Sequence, residues 1–314
     1  MTGSNQELSL KLDQMDLEML FIIVFVTIDD LYWEVVPQCV VNRPGSTPKL
    51  SDSEVIAVSF VGEMFFDSET AWLSFVSRNY KHLFPQLNER SRFHRRNKDL
   101  WVVKNLIRRR LLEKLDVAFE QFHLVDSMPV PVCKYVRGKR SRLFYGEVDK
   151  NQLFGVCESK DEKVFGFKLH LLITINGIIA NFVLAPAAPH DVSLVEEVLE
   201  AFNNLIVGAD KGYISQIIKE TLKQHQKITL VTPKRSNQKQ QNTKGEKYFL
   251  ARHRKMIETI NSLLSEQFHI TRTRARKLWG LFSKIVSKIT SLTLCCYINK
   301  LMGRPLLEVK SLAY

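Results

Sequence analysis

The chain has 314 residues, 45% of them hydrophobic and 25% charged, a balance that excludes a wholly disordered or fibrous protein and leaves room for two domains with a substantial core. Its net charge of +12, with a pI near 9.4, fits an anionic partner, although charge alone does not separate DNA, RNA and a membrane surface. Cys39, Cys133, Cys157, Cys295 and Cys296 are odd in number and without CxxC spacing, which argues against a disulfide framework or zinc knuckle and for a reducing, cytoplasmic compartment.

Residues 14–36 read as an apolar helix. Its most hydrophobic part, Met19 to Ile28, is bounded by Asp16 and by Asp29 and Asp30, is too short to span a bilayer, and lacks the basic flank and small-residue cleavage site of a signal peptide, so no membrane partner is expected. A Pro- and Gly-bearing linker runs from Pro37 to Pro48. Ser51 and Glu54 then match a capping box opening a helix to Phe66, and a second helix covers Glu69 to Arg78 after a break at Asp67 and Ser68. Two short helices so connected have the outline of a helix-turn-helix, which many helix pairs share without reading DNA.

Arg90, Arg92, Arg95 and Arg96 surround Phe93 and His94; such a segment either holds phosphates and stacks an unpaired base or is simply a solvated basic face. The helix expected from Asp99 to Phe119 continues the basic theme with Arg108, Arg109 and Arg110, while Leu106, Leu111, Leu112 and Leu115 offer a core face. Residues 1–118 are expected to form one helical domain with a basic side.

Gln121 to Cys133 is an apolar run broken by Asp126, which is either a buried strand carboxylate in need of a cation or the cap of the Ser-Met-Pro turn that follows. A second strand, Leu205 to Asp210, likewise ends in Asp before a Gly-containing turn. Between them come a basic, aromatic loop (Lys134, Tyr135, Arg137, Lys139, Arg140, Arg142, Phe144, Tyr145) interrupted by Gly138 and Gly146, and a hairpin, Val164–Ile175 and Ile178–Leu184, joined by Asn176-Gly177. Lys168 and His170 share one face of the first hairpin strand, where His170 reads as a half-buried strand residue more readily than as a metal ligand. Asp191 is placed to cap a helix from Val192 to Asn203. A helix from Ser215 to His225 precedes the strand Ile228 to Thr232, and strand, helix, strand in this order indicates a parallel portion, hence a mixed sheet.

Residues 234–247 have the polar composition of an exposed insertion. The helix from Tyr248 to Phe268 carries Arg254, Glu258 and Asn261 on one stripe and Leu250, Ile257, Leu264 and Phe268 on another; by itself the Arg254 and Glu258 pair is an ordinary surface contact. Arg272, Arg274, Arg276 and Lys277 lead into a long helix that stops at Gly303, ahead of Pro305.

Asp on a strand beside a hairpin, Asp at the end of a later parallel strand and Glu on the following helix resemble the ribonuclease H-like core of DDE transposases and retroviral integrases. Gly166-Phe-Lys-Leu-His170, Pro189-His-Asp191, Ala209-Asp-Lys-Gly-Tyr213 and Arg254 four residues before Glu258 are similar to bacterial insertion-sequence transposases, in particular the nine-eighty-two group. Where many relatives carry Tyr three residues before that Arg and a basic residue seven after the Glu, this chain has Ala251 and Ser265, so those contacts are not carried over.

The resemblance implies an α/β fold with a mixed five-stranded sheet flanked by helices over residues 119–314, C-terminal helix included, behind an all-helical DNA-binding domain. It implies that Asp126, Asp210 and Glu258 are catalytic and bind two Mg2+ ions, replaceable by Mn2+, with Asp126 bridging them, and that Arg254, Lys211, Lys168 and His170 support phosphate or catalysis. It also implies DNA contacts by Arg90, Arg92, Arg95, Arg96, Lys134, Arg137, Lys139, Arg140, Arg142, Arg272, Arg274 and Arg276. The expected partner is double-stranded DNA, as element ends and target, engaged by a homodimer or larger oligomer in the bacterial cytoplasm. Two alternatives stay open: an inactive DNA-binding relative, and a nuclease acting on RNA hybrids without strand joining.

Overall fold

The computed structural model describes residues 16–42, 44–87, 89–157, 162–234 and 241–312. They divide into two compact units, one running to Leu115 and resuming at Ser283, the other spanning Asp116–Phe282. The chain from Ser283 onward therefore belongs with the N-terminal helices and not, as the sequence reading had it, with the second domain. The polar side chains of the last helix explain why: Ser283 Oγ donates to Lys98 O at 3.1 Å, and Lys288 forms an ion pair with Glu63.

In the first unit, α1 (Leu17–Val35) is capped by Asp16, whose Oδ1 accepts from Met19 N at 2.8 Å. A four-residue helix, α2 (Gln38–Val41), lies inside the expected linker. The capping box predicted at Ser51 is formed in both halves: Glu54 N donates to Ser51 Oγ and Ser51 N to Glu54 Oε2. The helix it opens, α3 (Asp52–Phe65), is buried on nearly every side, which marks it as the unit's central helix. Against it lies Trp72 of α4 (Glu69–Asn79), close enough that a Cβ on Gly62 would fall 2.5 Å from its ring, with Trp72 Nε1 donating to Val58 O at 2.8 Å.

The arginine segment is itself helical, α5 (Arg90–Asp99), and the helix expected from Asp99 to Phe119 is shorter, α6 (Trp101–Lys114), followed by a 3-10 turn at Val117–Phe119. Leu100, between the helices, has ψ near 9°. The core face of α6 is Val103, Ile107 and Leu111, with buried Lys104 and Arg108; of the expected stripe Leu111 and Leu115 are buried, while Leu106 and Leu112 are half-buried.

The second unit is built on a six-stranded sheet: β1 (Phe122–Cys133), β2 (Phe154–Cys157), β3 (Glu162–Thr174), β4 (Ile179–Pro186), β5 (Ile206–Ala209) and β6 (Thr229–Val231). The order is β2-β3-β1-β5-β6, with β1 antiparallel to β3 and parallel to β5. β2 and β4 share the outer edge of β3, β2 beside Glu162–Phe165 and β4 beside Phe167–Ile173, so one strand more than expected fills the five positions. This is a ribonuclease H-like mixed sheet, with helices on it and the N-terminal helices before it.

The β3–β4 hairpin forms where Asn176-Gly177 predicted it, though with a different turn. Gly177 N donates to Thr174 O at 2.9 Å and Gly177 alone takes positive φ, 87°, so Ile175 and Asn176 form the bend and Gly177 the left-handed step after it.

Helix α7 (Val195–Leu199) precedes β5, and α8 (Gln216–Gln226), capped by Ser215, joins β5 to β6. A second capping box, Thr243 with Glu246, opens α9 (Lys244–Ser262), which ends in a wide π-helical turn at Leu263–Gln267. Phe249 seats α9 on the sheet: a Cβ on Gly208 of β5 would lie 2.8 Å from its ring. Part of the insertion expected at 234–247, residues 235–240, lies outside the described residues. The last helix, α10 (Leu278–Leu301), is long and apolar enough to cross a membrane, but 83% of that stretch is buried within the protein, as in a core helix.

Candidate active site

β1 and β5 pair in parallel through Val125 opposite Ala209, and the next residue on each strand is an acid, Asp126 and Asp210. Paired strands lie about 4.8 Å apart, so the fold sets the two carboxylates side by side at one level of the sheet. Asp126 is desolvated by burial and faces the negative charges of Asp210 and Asp191, and its carboxyl is pushed up to about 6 despite hydrogen bonds from Ser127 N and Asn261. Asp210 lies at the exposed mouth, its Oδ1 accepting from Lys211 N at 2.6 Å to cap the turn.

Glu258 is on α9, the helix that reaches Asp126, but the contact is made one turn further on. Asn261 Nδ2 donates to Asp126 Oδ2 at 3.1 Å, whereas Glu258, two-thirds exposed, meets Arg254 at 3.2 Å. Among the described residues no three His, Cys, Asp or Glu side chains gather closely enough to enclose a metal ion. Asp126 and Asp210 nevertheless suit an oxygen-seeking divalent cation, being paired acids at one level of a sheet, one of them half-buried and facing further negative charge.

Lys168 and His170 serve other side chains. Lys168 Nζ donates to Asp191 Oδ1 at 2.9 Å and to Pro189 O at 3.2 Å. Asp191 Oδ2 accepts from Ser127 Oγ at 2.8 Å. Asp191 therefore does not cap a helix: the chain there turns through a 3-10 segment, Asp191–Leu194, without a side-chain cap, because its carboxylate is taken by Lys168 and Ser127. His170 is fully buried and held down to about 4 by desolvation, so it is neutral near pH 7 and offers phosphate no charge. Its Nδ1 lies 3.2 Å from the hydroxyl of buried Tyr213, which also bonds Ser127.

The arginine segment of α5 is only partly a free basic face. Phe93 is its buried anchor, 1% exposed, and cannot stack on a base. Arg96 is bound to Asp52 by Nε at 3.0 Å and Nη2 at 2.6 Å and also donates to Leu50 O, leaving Arg90, Arg92 and Arg95 as the exposed cations. In the second unit Lys134, Arg137, Lys139, Arg140, Arg142, Arg272, Arg274 and Arg276 are all exposed, as are Lys211 and Tyr145. Sequence reasoning put Asn261 on the right stripe without giving it a role, and missed Ser127 and Tyr213, whose contacts come from separate elements and leave no periodic trace.

A ribonuclease H-like sheet with one aspartate on β1, another directly after β5 and an acid-bearing helix laid beside them defines the class of fold. Residues 117–278 match the sequence profile of the family described as the transposase DDE domain, and the chain belongs to that family, whose members are in general divalent-metal-dependent enzymes that cut DNA. No curated protein and no solved structure matches the chain.

Proposed function

We propose that the chain is an insertion-sequence transposase, of the nine-eighty-two group by its motifs, that binds its element's ends, cleaves DNA there and joins the freed ends to a target. The observation that carries the reading is the register of β1 on β5, which sets Asp126 beside Asp210.

Asp126, Asp210 and Glu258 are the residues that would hold divalent ions, Mg2+ or Mn2+, which supply activation of the attacking oxygen and charge stabilisation of the leaving one. Glu258 joins the pair by leaving Arg254, and an exposed ion pair resists this only weakly. Arg254, so released, has a fork of donors for a DNA phosphate, and exposed Lys211 beside Asp210 offers a second cation. Asp126 and Asp210 exclude a phosphate from the paired strands until their charge is balanced, which orders cation binding before DNA cleavage. The exposed cations of the loop after β1 and of residues 272–276 supply the wider DNA contact. The protein then acts in the bacterial cytoplasm as a dimer or larger oligomer on DNA.

A catalytically inactive DNA-binding relative is the second reading, favoured by the distance Glu258 keeps from the aspartates as the side chains stand. Labelled DNA carrying the element's ends, incubated with the protein and Mg2+, separates the two. Nicking at the ends that is lost in Asp126→Asn, with DNA affinity retained, supports the transposase; binding without any cutting under Mg2+ or Mn2+ sinks it.

A further inference from the structure

Asn261 makes a contact that none of the acids makes. Its Nδ2 donates to Asp126 Oδ2 at 3.1 Å, bridging α9 and β1 across 135 residues of sequence. The same amide's Oδ1 is buried and has no hydrogen-bond partner among the described residues. A buried acceptor left unpaired costs free energy, and such groups are rare enough to call for an explanation. Turning the amide over would set Oδ1 against the carboxylate of Asp126, so the orientation is fixed by charge. Directly after Asn261 the helix widens into the π-helical turn at Leu263–Gln267, where Phe268 N donates to Leu263 O at 3.1 Å; such turns are frequent at functional sites.

We propose that Asn261 is a positioning residue of the site: its amide nitrogen holds the Asp126 carboxylate in place while its oxygen stands as a neutral donor to the divalent ion that Asp126 binds. This rests on the metal-dependent reading above. A neutral amide suits the place because magnesium and manganese accept carbonyl-type oxygens, and a fourth carboxylate would add to the repulsion Asp126 already meets. The stripe of Arg254, Glu258 and Asn261 thereby acquires a division of labour, with Glu258 as the movable acid and Asn261 as the fixed grip.

The test is Mn2+ binding to the DNA-free protein, read by electron paramagnetic resonance, beside the cleavage rate at saturating DNA. Asn261→Leu keeps the number and branching of side-chain heavy atoms and removes both polar atoms; Asn261→Ser, which is smaller, is the second variant, to be used if thermal melting shows that the bulkier Leu disturbs folding. Expected are a weakening of Mn2+ binding of tenfold or more and a saturated cleavage rate lowered ten- to a hundredfold, with DNA affinity unchanged. Asp126→Asn serves as reference. Loss of Mn2+ binding in Asp126→Asn together with wild-type binding and rate in the folded Asn261 variants overturns this proposal alone. Wild-type Mn2+ binding in Asp126→Asn overturns the metal reading, and this proposal with it.

Discussion

Half-buried Asp126 and buried Lys104 are two ionisable residues whose charge the fold does not favour, and each makes a pH prediction of definite sign. Burial, with Asp210 and Asp191 nearby, raises Asp126 from 3.8 to about 6, so the folded chain holds this proton more tightly than the unfolded chain does. Its contribution to stability is present in full below pH about 4 and is lost as pH rises through 6. Asp126→Asn should therefore melt a few degrees higher than wild type at pH 7.5 without divalent ions, with the gap closing near pH 4, while cleavage is abolished. Equal melting temperatures at pH 7.5 would show that the carboxylate is not destabilised. Lys104 is fully buried, donates to Ser59 Oγ at 3.3 Å, Ser287 Oγ at 2.8 Å and Asn97, and is brought down by desolvation from 10.5 to about 7. Here the unfolded chain binds the extra proton, so stability should rise with pH between 7 and 10.5. Lys104→Met should remove that slope; denaturant titrations at several pH values measure it, and an unchanged slope would assign it to other groups.

Helix α5 illustrates how an element that looks like an interface is tied into its own unit. Arg96 is 16% exposed and Asp52 3%, and Asp52 is also bonded by Tyr32 at 3.1 Å, so the pair pins α5 to the start of α3. Removing one partner of a buried pair leaves the other charge uncompensated, at a cost of roughly 3 kcal/mol. Arg96→Ala should lower the melting temperature by several degrees, whereas Arg92→Ala, on the exposed side, should leave melting unchanged and weaken DNA binding. The reverse pattern would return Arg96 to the DNA surface. What separates these arginines was not legible in the sequence, because their spacing is compatible with a basic face and Phe93 is surrounded by charges that mask its role as an anchor. Local signals were legible: Ser51 with Glu54 gave a capping box, Asn176-Gly177 a hairpin, and Asp126 and Asp210 two strand-borne acids. The register that sets those two acids together, the four-residue β2, the partner of Asp191 and the packing of residues beyond Ser283 with the first unit all depend on contacts distant in sequence. Periodicity and caps record only neighbours.

The whole molecule carries +12, spread over two units that each expose cations, so its DNA affinity should fall steeply with salt, and no single residue should account for the fall. The turn at Tyr135–Arg140 is suited to testing this because its charges are not what holds it. Tyr135 packs edge-on to Phe154 at 5.5 Å, and Gly138 lies under Phe165 so closely that a Cβ would come within 2.7 Å of the ring. Beyond it, Phe144 is buried against Phe167 at 5.1 Å and its N–H donates to Arg276 O at 3.2 Å. Arg137, Arg140 and Arg142 are exposed and can be removed without disturbing that packing. Each phosphate contact adds about 0.9 to the slope of log affinity against log salt, so replacing all three by Ala should flatten the slope by up to about 3. If they grip DNA equally before and during the reaction, apparent affinity should fall while the rate at saturating DNA stays at the wild-type value. A lowered saturated rate at unchanged slope would mean that the loop places the scissile phosphate beside Asp126 and Asp210 instead of merely attracting DNA. An unchanged slope and an unchanged rate would move the DNA surface to the arginines of residues 272–276 or to the exposed face of α5.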